Sequence, residues 1–397
     1  MAQLRALKVA DGVYWVGARD VGRRVFDSLI PLPQGTSYNA YLVIGSRAAA
    51  LIDTVNPGFE GDLVRRVRSV VDPARVGYVI MNHAEPDHAG AIPTALGLAP
   101  GAKLVATSQG ARMAKMFYGV PDERIHVVKE GDSIDLGGKT LRFVEAPMLH
   151  WPETMFTYLV EDGVLFPCDF FGAHLAQGAW DDEVEDLLVH AQRYFGEIMM
   201  PFRGHALSAL KKIEGLDVRV IAPSHGPIYR NPRKIVERYW RWARGETREK
   251  VLVAYVSMWR YTERVARDFA DELSSWGVEV ALHDLAAADL GGLAGDLVDS
   301  RAVVVATPTV ITYAHPLALQ AAYLTRLLRA PAKYAAIITV YAWGSVADRQ
   351  LAEVLKDSGV EVVGVVKINV TPTEEDLEKL RGLAKELAAR VRGGAAP

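Results

Sequence analysis

The chain has 397 residues, 50% of them hydrophobic and 23% charged, with 45 basic against 48 acidic side chains. At roughly 100–200 residues per domain this length predicts two or three domains, and the composition excludes a disordered or fibrous chain. A net charge of −3 leaves no basic footprint for nucleic acid, and no apolar run reaches the roughly 18 residues of a membrane span.

The N-terminal stretch MAQLRALKVADGVYWVG lacks the apolar segment of a secretory signal. The single cysteine, Cys168, forbids an intrachain disulfide, and both features fit a cytoplasmic protein. It also forbids a Cys-rich iron–sulfur or zinc-thiolate site within one chain. Any metal must be held by histidines and carboxylates. Any iron–sulfur or rubredoxin-type electron carrier must be another molecule.

In chain order, GVYWVGARD reads as a strand, and TSYNAYLVIG with RAAALIDTV as a hairpin turning around Gly45 and Ser46. Residues 58–71 carry apolar side chains at helical spacing. VGYVIMN is a buried strand that runs into HAEPDHAG. KLVATS predicts a strand, GARMAKMFYG a helix, and SIDL, KTLRFVEAP, TMFTYLVED and GVLFPCDFFG four short β segments. Many strands with helices between them predict an αββα sandwich over residues 1–247.

Residues 231–249 read as a charged helix and linker. From 248 to 397 the texture changes to five β–α units with nearly continuous apolar strands, the pattern of a doubly wound parallel sheet of flavodoxin size. For the last helix, Thr371 is the predicted N-cap, Pro372 the first helical residue, and Glu374 the partner in a capping box.

Four potential metal ligands, His83, Glu85, Asp87 and His88, sit together just after a buried strand. On an extended loop, alternation aims His83, Glu85 and Asp87 to one side, with His88 joining at a loop–helix junction. His150 follows the strand KTLRFVEAP. Asp169 ends the apolar run GVLFPCD, where an unpaired carboxylate is costly. His225 ends the predicted strand VRVIAPSH, before Gly226 and Pro227 turn the chain. A His at one strand end is ordinarily only solvent-exposed, but together these residues suit a dinuclear site. The set resembles the metallo-β-lactamase superfamily, with His83-x-Glu85-x-Asp87-His88 in place of His-x-His-x-Asp-His. A carboxylate at the second position makes the site harder and more anionic, which suits iron better than zinc.

At the head of the second domain, Ser257, Met258, Trp259, Arg260, Tyr261 and Thr262 lead from a strand into a helix. Hydroxyls and free N–H groups at a helix N-terminus form a site for a terminal phosphate, although an ordinary Ser/Thr cap would look the same. Two further loops lie at the C-terminal ends of predicted parallel strands, where open α/β sheets bind ligands. They are Thr307-Pro308-Thr309 and Tyr341-Ala342-Trp343-Gly344-Ser345. An aromatic residue beside Gly344 is placed to stack on an isoalloxazine. No GxGxxG follows the first strand, so FMN is a better candidate than a dinucleotide.

The two halves in this order resemble the flavodiiron proteins, oxygen- or nitric-oxide-reducing flavoproteins, over essentially the whole chain. The resemblance rests on HAEPDH, the spaced His150, Asp169 and His225, MLHWPETM and SMWRYTERVA. It implies one iron held by His83, Glu85 and His150. The second would be held by Asp87, His225 and His88, with Asp169 bridging. It also implies FMN on the three loops named above, and a pocket lined by His174 and Tyr194 as proton donors. The usual second glycine of the last flavin loop is replaced by Ser345. Further implications are a head-to-tail homodimer, or a dimer of such dimers, and a separate donor, rubredoxin-like or a reduced deazaflavin, because the chain stops at Pro397 after the flavodoxin-like domain. Two competing readings are a dinuclear zinc hydrolase fused to a flavodoxin-like module, and an electron carrier or redox-sensing module with a vestigial metal site.

Overall fold

Side-chain alternation along two paired strands decides the layers of the first half. In Tyr41–Ile44 and Ala49–Ile52, Leu42 and Leu51 enter one core, whereas Val43, Ala50 and Ile52 enter another. A sheet apolar on both faces must be covered on both. The computed structural model describes residues 5–393; residues 1–4, where the N-terminal stretch begins, and 394–397, including Pro397, lie outside them.

The first sheet keeps chain order: β1 (Leu7–Ala10), β2 (Val13–Trp15), β3 (Tyr41–Ile44), β4 (Ala49–Ile52), β5 (Val76–Ile80), β6 (Lys103–Thr107) and β7 (Ile125–Val128). Pairing is antiparallel as far as β4 and parallel from there to β7. Its outer core takes Leu63 and Val67 from α1 (Glu60–Arg68). The short α2 (Pro86–Ala89) adds Ala89, α3 (Ile92–Leu98) adds Ile92, Ala95 and Leu96, and α4 (Ser108–Tyr118) adds Ala114. The inner face packs on a second sheet, also in chain order: β8 (Ser133–Asp135), β9 (Thr140–Glu145), β10 (Met155–Leu159), β11 (Val164–Phe166) and β12 (Val220–Ile221). Ile134, Leu141, Phe143, Met155, Leu159, Val164 and Phe166 fill the space between the sheets. α5 (Leu187–Tyr194), α6 (Arg203–Ile213) and α7 (Arg233–Arg244) follow.

Contacts divide the chain into Met1–Tyr194 with Phe202–Trp240, and Phe195–Pro201 with Arg241–Pro397. The boundary read from sequence, at 247/248, lies a few residues further on. The excursion is a π-helical stretch, Phe195–Met199, where a Cβ on Gly196 would stand 2.3 Å from the Ala294 carbonyl oxygen.

The second unit is a parallel sheet of β13 (Lys250–Tyr255), β14 (Glu279–Asp284), β15 (Ala302–Val310), β16 (Tyr334–Tyr341) and β17 (Glu361–Asn369), in the order β14-β13-β15-β16-β17. That is the flavodoxin-like order, with its switch point at β13 and β15. α8 (Tyr261–Ser275) and α12 (Glu374–Val391) cover one face through Val265, Phe269, Leu273, Leu380 and Leu387. α9 (Leu290–Leu297), α10 (Pro316–Leu327) and α11 (Ala347–Lys356) complete the unit. At the N-terminal end of β13, the buried Lys250 Nζ lies 2.6 Å from Asp296 Oδ1 and 2.8 Å from Asp299 Oδ1. No helix among the described residues is long and apolar enough to cross a membrane.

Three local expectations are corrected. GVYWVGARD is two strands in different sheets, because the chain turns at Gly17, where a Cβ would stand 2.2 Å from the Tyr38 carbonyl oxygen. VRVIAPSH is β-paired only at Val220 and Ile221. The N-cap of α12 is Thr373, boxed with Asp376, rather than Thr371 with Glu374. That register puts Glu374, Glu375 and Asp376 together in the first turn, where the helix dipole favours them.

Candidate active site

The loop after β5 bends into α2, so Asp87 is helical rather than on the expected extended loop, and His88 lies within the same short helix. Glu85 is the N-cap residue and Pro86 opens the helix. The loop after β9 brings in His150, after Met148 with φ +65° and across a cis peptide from Leu149. Asp169 follows β11 and Cys168, which has φ +49°. His225 follows β12. All seven side chains converge, and only Glu85 and His150 among them are more than slightly exposed.

They form two sets. In the first, Glu85 Oε2 lies 3.1 Å from His83 Nε2 and 3.0 Å from His150 Nε2. In the second, Asp87 Oδ1 lies 3.3 Å from His88 Nε2 and its Oδ2 3.2 Å from His225 Nε2. Asp169 stands between them. Its Oδ2 faces His83 at 3.4 Å and His150 at 3.7 Å, and its Oδ1 faces His88 at 3.1 Å and His225 at 3.4 Å. One oxygen turns to each set.

The outer nitrogens explain why the Nε2 atoms point inward. His83 Nδ1 meets Glu153 Oε1 at 2.7 Å, and His225 Nδ1 meets the Ser37 carbonyl at 2.6 Å. An acceptor on the outside puts the proton on Nδ1 and leaves Nε2 to ligate a cation. Without a cation His83 and His88 hold protons instead. Burial pulls the His83 pKa down, but hydrogen bonds to Glu153 and Glu85 outweigh it and hold the ring well above its ordinary value. Burial opposes the protonation of His88 too, but the charges of Asp87 and Asp169 outweigh it and raise its pKa to about 9. Both oxygens of Asp87 and Oδ2 of Asp169 are buried without a hydrogen-bond partner. Four imidazoles and three carboxylates in this state form a cage for cations.

Two further residues border the second set. The Tyr194 hydroxyl donates to Asp169 Oδ1 at 2.9 Å, and burial, then the charge of Asp169, hold it protonated. The His174 ring lies 4.8 Å from that of His225 and 4.9 Å from that of Tyr194. Burial, then the charge of His225, hold His174 neutral, with Nδ1 3.0 Å from Thr36 Oγ1 and Nε2 unpartnered.

In the second unit, a cavity of about 310 Å³ opens at the C-terminal ends of β13, β15 and β16. Ser257, Met258, Trp259, Tyr261, Thr262, Pro308, Thr309, Tyr341, Ala342 and Trp343 line it. Arg260 is the N-cap of α8 with φ +67° and no side-chain cap, so the first-turn N–H groups stay open. Ser257 Oγ is buried without a partner. Four expected residues stand back from the lining. The Arg260 side chain pairs with Glu263, and Thr307 Oγ1 is used by His315 N and the Pro308 carbonyl. Ser345 Oγ accepts from Ala347 N, and Gly344 lies beside Thr312.

Residues 36–226 match the ODP family beta lactamase. A nitric oxide reductase of Moorella thermoacetica is 37% identical over 392 residues, covering 96% of this chain and 98% of the relative. The chain belongs to the flavodiiron family. Among solved structures, the rubredoxin oxygen:oxidoreductase of Desulfovibrio gigas superposes with a TM-score of 0.93 at 30% identity, over 98% of this chain and 99% of that one. The flavodiiron protein of Giardia intestinalis gives 0.93 at 28%, over 98% and 97%.

Sequence reasoning missed several residues of this site. Glu153, three residues after His150, and Asn82 and Ser224, each just before a histidine, stand inside motifs already singled out. Ser224 Oγ donates to Asp169 Oδ1 at 3.1 Å. Asn82 ties the loop to Asp53, whose Oδ1 accepts from Asn82 N at 2.8 Å. Thr36, Ser37 and Phe26, whose ring lies 4.9 Å from His174, come from a distant segment with no such signal. In the cavity, Val340 and Val370 were missed because their type is that of a buried strand.

Proposed function

We propose that this flavodiiron chain is an oxidoreductase that reduces O2 to water, NO to N2O, or both, at two iron ions with electrons passed through FMN. The observation that carries the reading is Asp169, with one carboxylate oxygen turned to each of two buried His–carboxylate sets. In this reading His83, Glu85 and His150 hold one iron, Asp87, His88 and His225 the other, and Asp169 bridges them. The donors fit the ion: imidazoles with hard carboxylates on each side suit iron in both its common oxidation states. When bound, reduced FMN and the ferrous pair supply two electrons each, enough to take O2 to water, whereas coupling two NO to N2O needs two.

The chain's own residues position and protonate. Tyr194 fixes Asp169 through its hydroxyl and is a proton donor facing the second set. Neutral His174 holds or releases a proton at Nε2 while Thr36 anchors Nδ1. Phe26 packs over His174 and His225, limiting water. At the flavin cavity, Ser257 Oγ and the open first turn of α8 take the phosphate, and Trp343 at the rim stacks on the ring system. The donor is a rubredoxin-like protein or a reduced deazaflavin. A cytoplasmic head-to-tail homodimer, alone or paired with a second, brings the flavin of one copy to the irons of the other.

The test is iron, zinc and FMN per chain in protein produced anaerobically with iron supplied, followed by O2 and NO consumption. About two irons and one FMN with turnover is the expected result. Two zinc ions with no iron uptake would overturn the reading in favour of the hydrolase.

A further inference from the structure

Glu153 lies outside both ligand sets and is almost fully buried. Its Oε1 accepts from His83 Nδ1 at 2.7 Å and from Ala84 N at 2.7 Å, which ties the carboxylate to the ring and to the backbone beside it. Its own carbonyl accepts from Thr107 Oγ1 at 2.9 Å, so it is fixed to the N-cap of α4. Trp151 stands edge-on to the His83 ring at 5.1 Å. His83 is locked with Nε2 toward the first set.

The other histidines lack such a partner. His225 Nδ1 has a backbone carbonyl, and His88 Nδ1 is buried without any hydrogen-bond partner. A carboxylate draws the Nδ1 proton more strongly than a neutral carbonyl does and makes the ring a stronger donor at Nε2. We infer that Glu153 is a positioning residue that makes the two metal positions unequal, strengthening donation to the metal at His83, Glu85 and His150. This rests on the metal reading above. The consequence is an ordered pair, in which the ion beside His83 is the more easily oxidised. The weaker donors stand on the side of His174 and Tyr194.

The experiment compares wild type, Glu153→Gln and Glu153→Asp in two titrations. Glu153→Gln keeps the shape and can still accept from both N–H groups, so only the charge is lost. In an anaerobic Co(II) titration followed by the visible spectrum, wild type takes up two ions. Glu153→Gln should weaken one of them by about 10–100-fold and leave the other unchanged, as for other outer carboxylate partners. Glu153→Asp, which keeps the charge, should fall between. In iron-loaded protein, an EPR-monitored redox titration should show one midpoint potential raised by Glu153→Gln and the other unmoved. Equal weakening at both positions, no change at either, or equal losses for Gln and Asp would overturn the inference. Two Co(II) ions bound with this asymmetry but no iron taken up would overturn the proposed function and leave the inference standing. A chain that binds no Co(II) overturns the inference itself.

Discussion

The Tyr194 hydroxyl and Asp169 Oδ1 are joined at 2.9 Å, and that same oxygen faces His88 and His225. Tyr194 acts on the site without standing among the ligands. Tyr194→Phe should keep its metal content and lose about 10–100-fold in turnover, a range typical of outer partners. Removing the hydroxyl should cost about 1–2 kcal/mol in stability. Metal analysis, O2 and NO consumption and a denaturant melt check the three parts, and undiminished turnover would reduce Tyr194 to packing.

Alanine at Asp169 or His83 separates an enzyme from an electron carrier. Asp169→Ala removes the one carboxylate shared by both sets, and His83→Ala removes a ligand of the first. Each should drop iron to one ion or fewer per chain and turnover to background, with flavin content intact. A carrier would pass electrons from flavin to an external acceptor as well as before, which stopped-flow reoxidation would detect.

Asp53 makes the metal-free chain pH-dependent. Burial pushes its carboxyl up to about 6, against the charge of His88 and the hydrogen bonds from Asn82. The unfolded chain releases this proton near ~4, so the folded state binds it more tightly in between. The contribution is therefore complete below about pH 4 and is lost as the pH rises through about 6, amounting to roughly 3 kcal/mol. Asp53→Asn should remove this slope. The difference between wild-type and variant urea midpoints across that window is the measurement, and a difference independent of pH would contradict the assignment.

Lys250 neutralises Asp296 and Asp299 inside the second unit, and His283 Nε2 completes the cluster at 2.7 Å from Asp296 Oδ2. Lys250→Ala leaves the buried Asp299 and the part-buried Asp296 without the ammonium they share. The expected cost is about 3–5 kcal/mol, read from chemical denaturation of the purified chain. A loss below about 1 kcal/mol would mean that water replaces the ammonium.

What the sequence made legible follows from the range of the forces involved. The parallel strands of the second unit were readable because burial on both faces leaves a continuous apolar run such as AVVVAT. The seven converging side chains were readable because HAEPDH packs four ligand types into one short loop, and His150, Asp169 and His225 add the same chemistry at three further strand ends. The break at Gly17 was hidden, since it depends on how close the backbone at Tyr38 comes. Asp87 was placed on an extended loop because the helix that carries it is only four residues long, too short for periodicity. The cap of α12 was misplaced by two residues because TPTEED offers two threonines, each with an acid three residues on. Glu153 was in view but unassigned: its role depends on where His83 comes to rest.

The converging side chains are spread from His83 to His225, on loops that follow four different strands of two sheets. A growing chain leaving the ribosome has offered HAEPDH long before Asp169 and His225 exist. Neither set is whole at that stage, since Asp169 belongs between them and His225 closes the second. The choice of ion therefore falls to the finished sandwich and to whatever cations surround it then. Supplying iron late, to already folded chain, should load the site as fully as supplying it throughout synthesis.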